Sequence, residues 1–130
     1  MKLNKILKNI DFELIKGKLD QEITEIKYDS REIEANNLFV AVSGFEVDGH
    51  QFIDQALKNG AAAVVIEKDL SGYQSGVSYI KVDNSRKTMA KLAKNFFENP
   101  LEEINLVGIT GTNGKTTTSY LLYNILKKYY

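Results

Sequence analysis

Seven consecutive residues, Gly111-Thr112-Asn113-Gly114-Lys115-Thr116-Thr117, have the types and order of a loop that holds phosphate groups. Glycines let backbone N–H groups approach anionic oxygens where a Cβ would intervene. A helix starting at Lys115 would add unpaired donors and a partial positive charge. In that arrangement Lys115 reaches the β- and γ-phosphates of ATP and the Thr116 hydroxyl sits on Mg²⁺. Thr110 through Thr117 are therefore the candidate ATP-binding residues. Lys115 is the candidate catalytic group and Thr116 the candidate metal ligand. The strict pattern G-x-x-x-x-G-K-[ST] would place its first glycine at Ile109; the glycines are instead Gly108, Gly111 and Gly114. The bland alternative is a plain Gly/Asn turn between a strand and a helix.

Such a loop needs a strand before it and a helix after it. Asn105 to Ile109 is apolar enough to be that strand, and Leu121, Leu122, Ile125 and Leu126 give the following helix one apolar face. Upstream, Leu3, Ile6, Leu7 and Ile10 predict an amphipathic helix, Ile23–Tyr28 a half-buried strand and Leu38–Val42 a buried one. Phe52, Ile53, Ala56 and Leu57 mark a helix face, with Gly60 at its C-terminal cap. Strands follow at Ala62–Ile66 and Tyr79–Val82. Ser85 is placed to cap a helix whose core face is Met89, Leu92, Ala93, Phe96 and Phe97. Pro100, the one proline, stops that helix near Asn99 and sets a domain boundary. The expected fold class is α/β. A small domain over residues 1–99, with a mixed sheet and flanking helices, precedes the first strand, loop and helix of a second over residues 100–130.

Composition narrows the partners. The 130 residues carry 17 Lys+Arg and 17 Asp+Glu, a formal charge of zero, which argues against bulk binding of nucleic acid or anionic membrane. No cysteine is present, which excludes thiolate metal sites and Cys catalysis. The first residues lack an unbroken apolar signal-peptide core, and the longest apolar runs are too short to span a bilayer. A cytoplasmic location is the expectation.

The stretch Val107-Gly108-Ile109-Thr110-Gly111-Thr112-Asn113-Gly114-Lys115-Thr116-Thr117-Thr118 resembles the ATP-binding loop of the Mur ligases. These are ATP-dependent amide-forming enzymes of peptidoglycan precursor synthesis; folylpolyglutamate synthases have a similar loop. Asp29-Ser30-Arg31, Leu38 to Gly44, Asp48 to Ile53 and Gly60 to Ala63 resemble the UDP-sugar-binding domain of two Mur ligase types. The MurE type adds the third residue of the stem peptide, and the MurF type adds D-Ala-D-Ala. The Thr-Asn-Gly-Lys-Thr-Thr-Thr order is similar to the MurE type.

The resemblance implies binding of UDP-MurNAc-L-Ala-D-Glu, ATP with Mg²⁺, and an incoming amino acid, meso-diaminopimelate or L-lysine. By the same resemblance Ser30 matches a contact to the UDP part, Tyr28 a neighbouring contact position, and Phe45, Glu46 and Val47 a loop touching the nucleotide. Arg31 and His50 are expected to be structural. The family's downstream metal ligands and amino-acid-binding domain have no counterpart in these residues. The chain is therefore expected to be an N-terminal fragment, inactive alone and able to self-associate through residues 105–130. A MurF-type fragment or a standalone UDP-sugar-binding module are the alternatives.

Overall fold

A computed structural model describes residues 1–44, 47–100 and 104–129. The chain divides into two compact units, Met1–Asn99 and Pro100–Tyr130.

The first unit is built on a five-stranded sheet. Its strands are β1 (Glu13–Lys16), β2 (Ile26–Lys27), β3 (Leu38–Val40), β4 (Ala63–Ile66) and β5 (Ser78–Lys81). They lie in the order β1-β5-β4-β3-β2. β2, β3, β4 and β5 are mutually parallel, and β1 runs antiparallel to β5. The sheet is thus mixed, with helices on its faces, as the sequence predicts.

The central strands explain themselves by composition. Every residue of Leu38–Val40 and Ala63–Ile66 is buried, as expected where both faces of a parallel sheet are covered. Side chains alternate between the faces. Leu38, Val40, Ala63, Val65, Ile80 and Val82 pack on one side with Leu3 and Ile6 of α1 (Leu3–Ile6) and Leu92 of α3 (Ser85–Phe96). Phe39, Val64, Ile66 and Tyr79 pack on the other with Ile53 and Ala56 of α2 (Ile53–Lys58).

Several boundaries differ from the sequence reading, each for a local reason. The N-terminal helix closes at Ile6 because Asn9 sits in the left-handed region (φ 58°). Leu7 and Ile10 still join the core from the following turns. The side chain that caps α3 is Asn84, which accepts from the Lys87 N–H at 2.8 Å; Ser85 is instead fully buried. The helix ends before Pro100, because Glu98 and Asn99 adopt positive φ (56° and 57°) and the Asn99 N–H returns to the Lys94 carbonyl at 2.8 Å. Phe97 is consequently not core: it is 65% exposed and meets Phe96 edge-on. Gly60 does end α2, at φ 103°, where a side chain would meet the Ala35 backbone at 3.1 Å.

In the second unit α4 (Lys115–Leu126) follows the glycine-containing loop. Residues 105–109 do not form the expected strand. A strand exists only through pairing, and none of the described residues pairs with this segment. The helix buries none of its residues, and Tyr120, Leu121, Tyr123 and Ile125 are all exposed.

Candidate functional site

Two sites emerge, one in each unit. The first lies beyond the carboxyl ends of parallel strands, where ligands of open α/β sheets bind. The chain leaving β2 passes through Tyr28 and Asp29 into a single 3₁₀ turn, Ser30–Glu32. Asp29 starts that turn by accepting the Arg31 N–H at 3.0 Å, and its carboxylate also takes the Arg31 guanidinium through Nε (2.9 Å) and a second nitrogen (2.6 Å). The Arg31 side-chain bonds, with its N–H, hold the Asp29 carboxyl down at about 2. Arg31 has the structural pairing expected of it.

This turn forms one wall of a cleft of about 570 Å³ lined by Tyr28, Asp29, Ser30, Arg31, Phe52 and Gln55. Ser30 is 6% exposed, and among the described residues its hydroxyl makes no hydrogen bond; its carbonyl accepts from Asn59 Nδ2 at 2.8 Å. A sheltered, unengaged hydroxyl offers a ligand both a donor and an acceptor. Tyr28 (69% exposed) and Phe52 (42%) present aromatic faces. The structure thus brings Ser30 and Tyr28 together. Val47 is exposed and accepts from the Gly44 N–H at 3.0 Å, but it is not among the described residues of this cleft. Phe45 and Glu46 lie outside the described residues.

Phe52 and Gln55 are the cleft residues that sequence reasoning missed. Phe52 falls in helical register with Ile53 and Ala56, so periodicity assigns it to the core. In fact it precedes α2, in the 3₁₀ turn Gly49–Phe52, and points its residue position out of the helical register. Gln55 carries no signal in the sequence beyond lying on the opposite face from Ile53.

Behind this turn lies a polar network. His50 is nearly enclosed, with its side chain 4% exposed. Its Nδ1 lies 2.6 Å from Asp48 Oδ1, and its Nε2 accepts the Glu67 N–H at 2.9 Å. An Nε2 that accepts leaves the ring proton on Nδ1, donated to Asp48. Glu67, at the end of β4, accepts the Ser85 N–H (2.6 Å) and hydroxyl (2.7 Å) on one oxygen and the Ser43 hydroxyl (2.8 Å) on the other. Lys68 Nζ reaches Asp48 Oδ2 at 2.6 Å. His50 is therefore a satisfied turn histidine, as expected.

Two of these carboxyls are held in the ionised form. Lys68 first, then the His50 N–H, keep Asp48 well below the usual carboxylate range. At Glu67 burial acts to raise the pKa, but the bonds from Ser85 and Ser43 outweigh it, so its net direction is also down. Protons then bind these groups more readily in the unfolded chain. Stability of the first unit is expected to be flat above the ordinary carboxyl values near ~4 and to fall progressively below them. Urea midpoints measured between neutral and acid pH check this; a midpoint unchanged on acidification would contradict it.

The second site is the phosphate-type loop. Gly114 precedes α4 at φ 78°, a left-handed conformation that glycine adopts without strain, and no atom lies within 4 Å of where its Cβ would be. The first bond of the helix runs from the Thr118 N–H to the Gly114 carbonyl, so the N–H groups of Lys115, Thr116 and Thr117 have no partner within the helix. Lys115 Nζ folds back onto the Gly111 carbonyl at 2.6 Å, which places an ammonium beside those donors. This cradle of glycine, free N–H groups and one ammonium fits a triphosphate. Among the described residues no group of three or more His, Cys, Asp or Glu is placed to hold a metal. The Thr116 hydroxyl is a hard oxygen of the kind that would suit Mg²⁺.

Comparison with known proteins places the chain in a family. A family model described as "Mur ligase family, catalytic domain" matches residues 22–97, and the chain belongs to the Mur ligase family. The matched span contains the cleft but not the loop of Lys115. A curated relative from Clostridium perfringens, named UDP-N-acetylmuramoyl-L-alanyl-D-glutamate--2,6-diaminopimelate ligase, is 44% identical over 128 residues. That match covers 98% of this chain and 26% of the relative, so the chain spans about a quarter of that protein's length. Among solved structures, the UDP-N-acetylmuramoylalanyl-D-glutamyl-2,6-diaminopimelate--D-alanyl-D-alanyl ligase of Acinetobacter baumannii matches with a TM-score of 0.73 and 25% identity, over 98% of this chain and 28% of its own. A Thermotoga maritima MurF ligase in complex with ADP matches with a TM-score of 0.56 and 39% identity, over 80% of this chain and 23% of its own. Among the described residues no helix is long and apolar enough to cross a membrane.

Proposed function

We propose that this chain is the N-terminal part of a MurE-type ligase that joins 2,6-diaminopimelate to UDP-N-acetylmuramoyl-L-alanyl-D-glutamate in the cytoplasm, using ATP and Mg²⁺. The 44% identity over 98% of the chain to a relative named for that reaction supports this type over the MurF type. Residues 1–99 then form the UDP-sugar-binding domain and residues 100–130 open the ATP-binding domain.

The observation that carries the reading is the Ser30 cleft. A sheltered hydroxyl without a partner, two exposed aromatic side chains and the Gln55 amide match the needs of a uridine diphosphate. Tyr28 and Phe52 offer surfaces for the base, and Ser30 donates to a phosphate or ribose oxygen. By the family resemblance, Phe45, Glu46 and Val47 are further nucleotide contacts in this reading. In the second unit Lys115 and the N–H groups of α4 bind and orient the triphosphate, with Thr110 to Asn113 shaping the loop. ATP with Mg²⁺ supplies the activation of a carboxylate for amide formation.

Calorimetry tests the reading on the 130-residue chain. Binding of UDP-N-acetylmuramoyl-L-alanyl-D-glutamate is expected, weakened by about 1 kcal/mol in Ser30→Ala and by ~1–3 kcal/mol in Phe52→Ala. No heat of binding at millimolar ligand would sink it.

A further inference from the structure

The nearly enclosed His50 is left unused by the phosphate and base contacts. We infer that His50 is a positioning residue for the ligand cleft, anchoring the turn that carries Phe52 to the carboxyl end of β4. The inference rests on the cleft being the UDP-sugar site.

Each step is visible in the geometry. Phe52 and Gln55 form one wall of the cleft and belong to the turn Gly49–Phe52 and the helix α2 that follows it. This wall is held at both ends. At its far end Asn59 Nδ2 donates to the Ser30 carbonyl at 2.8 Å, which ties α2 directly to the opposite wall. At its near end His50 bridges two fixed groups, with Nδ1 on Asp48 and Nε2 on the Glu67 N–H. Glu67 is itself pinned by Ser85 at the start of α3 and by Ser43 on the strand-to-turn connection. Main-chain bonds add to the near anchor: the Gly49 N–H reaches the Val42 carbonyl at 2.9 Å. Phe52 itself is 42% exposed. The bond of His50 to the Glu67 N–H is the side-chain tie nearest to it in sequence that joins its turn to the end of β4.

The imidazole suits the task because one ring offers a donor and an acceptor at fixed separation. Leucine has similar bulk and neither group. Glutamine can supply the acceptor for the Glu67 N–H from the outer end of its side chain, but not the donor to Asp48.

The experiment compares binding of UDP-N-acetylmuramoyl-L-alanyl-D-glutamate to the wild-type chain, His50→Leu and His50→Gln, each at a temperature where circular dichroism shows it fully folded. His50→Leu is expected to bind about 5- to 10-fold more weakly, with His50→Gln recovering most of that loss. A purely structural histidine would lower the melting temperature and leave the dissociation constant of the folded protein unchanged; equal binding by all three folded chains overturns the inference. If His50→Leu does not fold, the wild-type imidazole decides. Its ¹⁵N spectrum is expected to show a protonated Nδ1 and an accepting Nε2, and the reverse tautomer overturns the inference. Failure of the wild-type chain to bind the UDP-sugar at all would instead strike the functional reading.

Discussion

Lys115→Met, introduced into the full-length ligase proposed for this segment, is expected to lower kcat by about 10²- to 10³-fold, the loss typical when one preorganised charge-stabilising donor is removed from a transition state. The geometry isolates that donor well. Lys115 is the first residue of α4, its ammonium lies 2.6 Å from the Gly111 carbonyl, and the N–H groups of the first turn have no partner in the helix. It is the charged member of a cradle otherwise made of main-chain dipoles. Methionine preserves the chain length and is as good a helix former, so α4 should start at the same place. Lys115→Arg is not expected to rescue, because a planar fork does not replace a compact ammonium in a tight loop. Phosphate release and amide formation at saturating ATP and UDP-sugar measure the effect. A kcat close to that of the unsubstituted ligase would show that the loop binds no transferred phosphate.

Much of the molecule was legible because its signals are local. The apolar runs Leu38–Val42 and Ala62–Ile66 read as strands, and the shorter β3 and β4 lie within them with no exposed residue. The turn chemistry of Asp29-Ser30-Arg31 was readable from residue types, and it positions Ser30 in the cleft. The failures have a common cause, which is that partners distant in sequence decide the outcome. Residues 105–109 have strand composition but no pairing among the described residues, so no strand forms. Glu13–Lys16 has little alternation and becomes a strand because β5 offers it an antiparallel edge. Phe52 and Phe97 both fit a helical stripe, yet Phe52 lies just before the start of α2 and Phe97 just past the end of α3, where the register no longer points at the core. The bonds of His50 to Asp48 and to Glu67 could not be read from spacing, since Glu67 is 17 residues away.

That distinction between register and burial is testable at two phenylalanines. Phe39 is fully buried at the centre of β3, paired in register with Val64 and packed in the cluster of Ile33, Ile53, Ala56 and Tyr79. Phe39→Ala is expected to cost ~3–5 kcal/mol through lost burial and the cavity left behind. At about 4–8 °C per kcal/mol for a unit of this size, the melting temperature should fall by tens of degrees. Phe97→Ala, on a residue 65% exposed, should remain within about 0.5 kcal/mol of the parent. Sequence periodicity ranks Phe97 among the core residues and so predicts comparable losses, whereas the structure predicts a large asymmetry. Phe39 also lies on the α2 face without lining the cleft. UDP-sugar binding by Phe39→Ala, measured cold enough for the unit to stay folded, should therefore change far less than its stability. Similar losses at the two positions would refute the assignment of Phe39 to the core and of Phe97 to the surface, and a loss of binding in step with the loss of stability would refute the separation of Phe39 from the cleft.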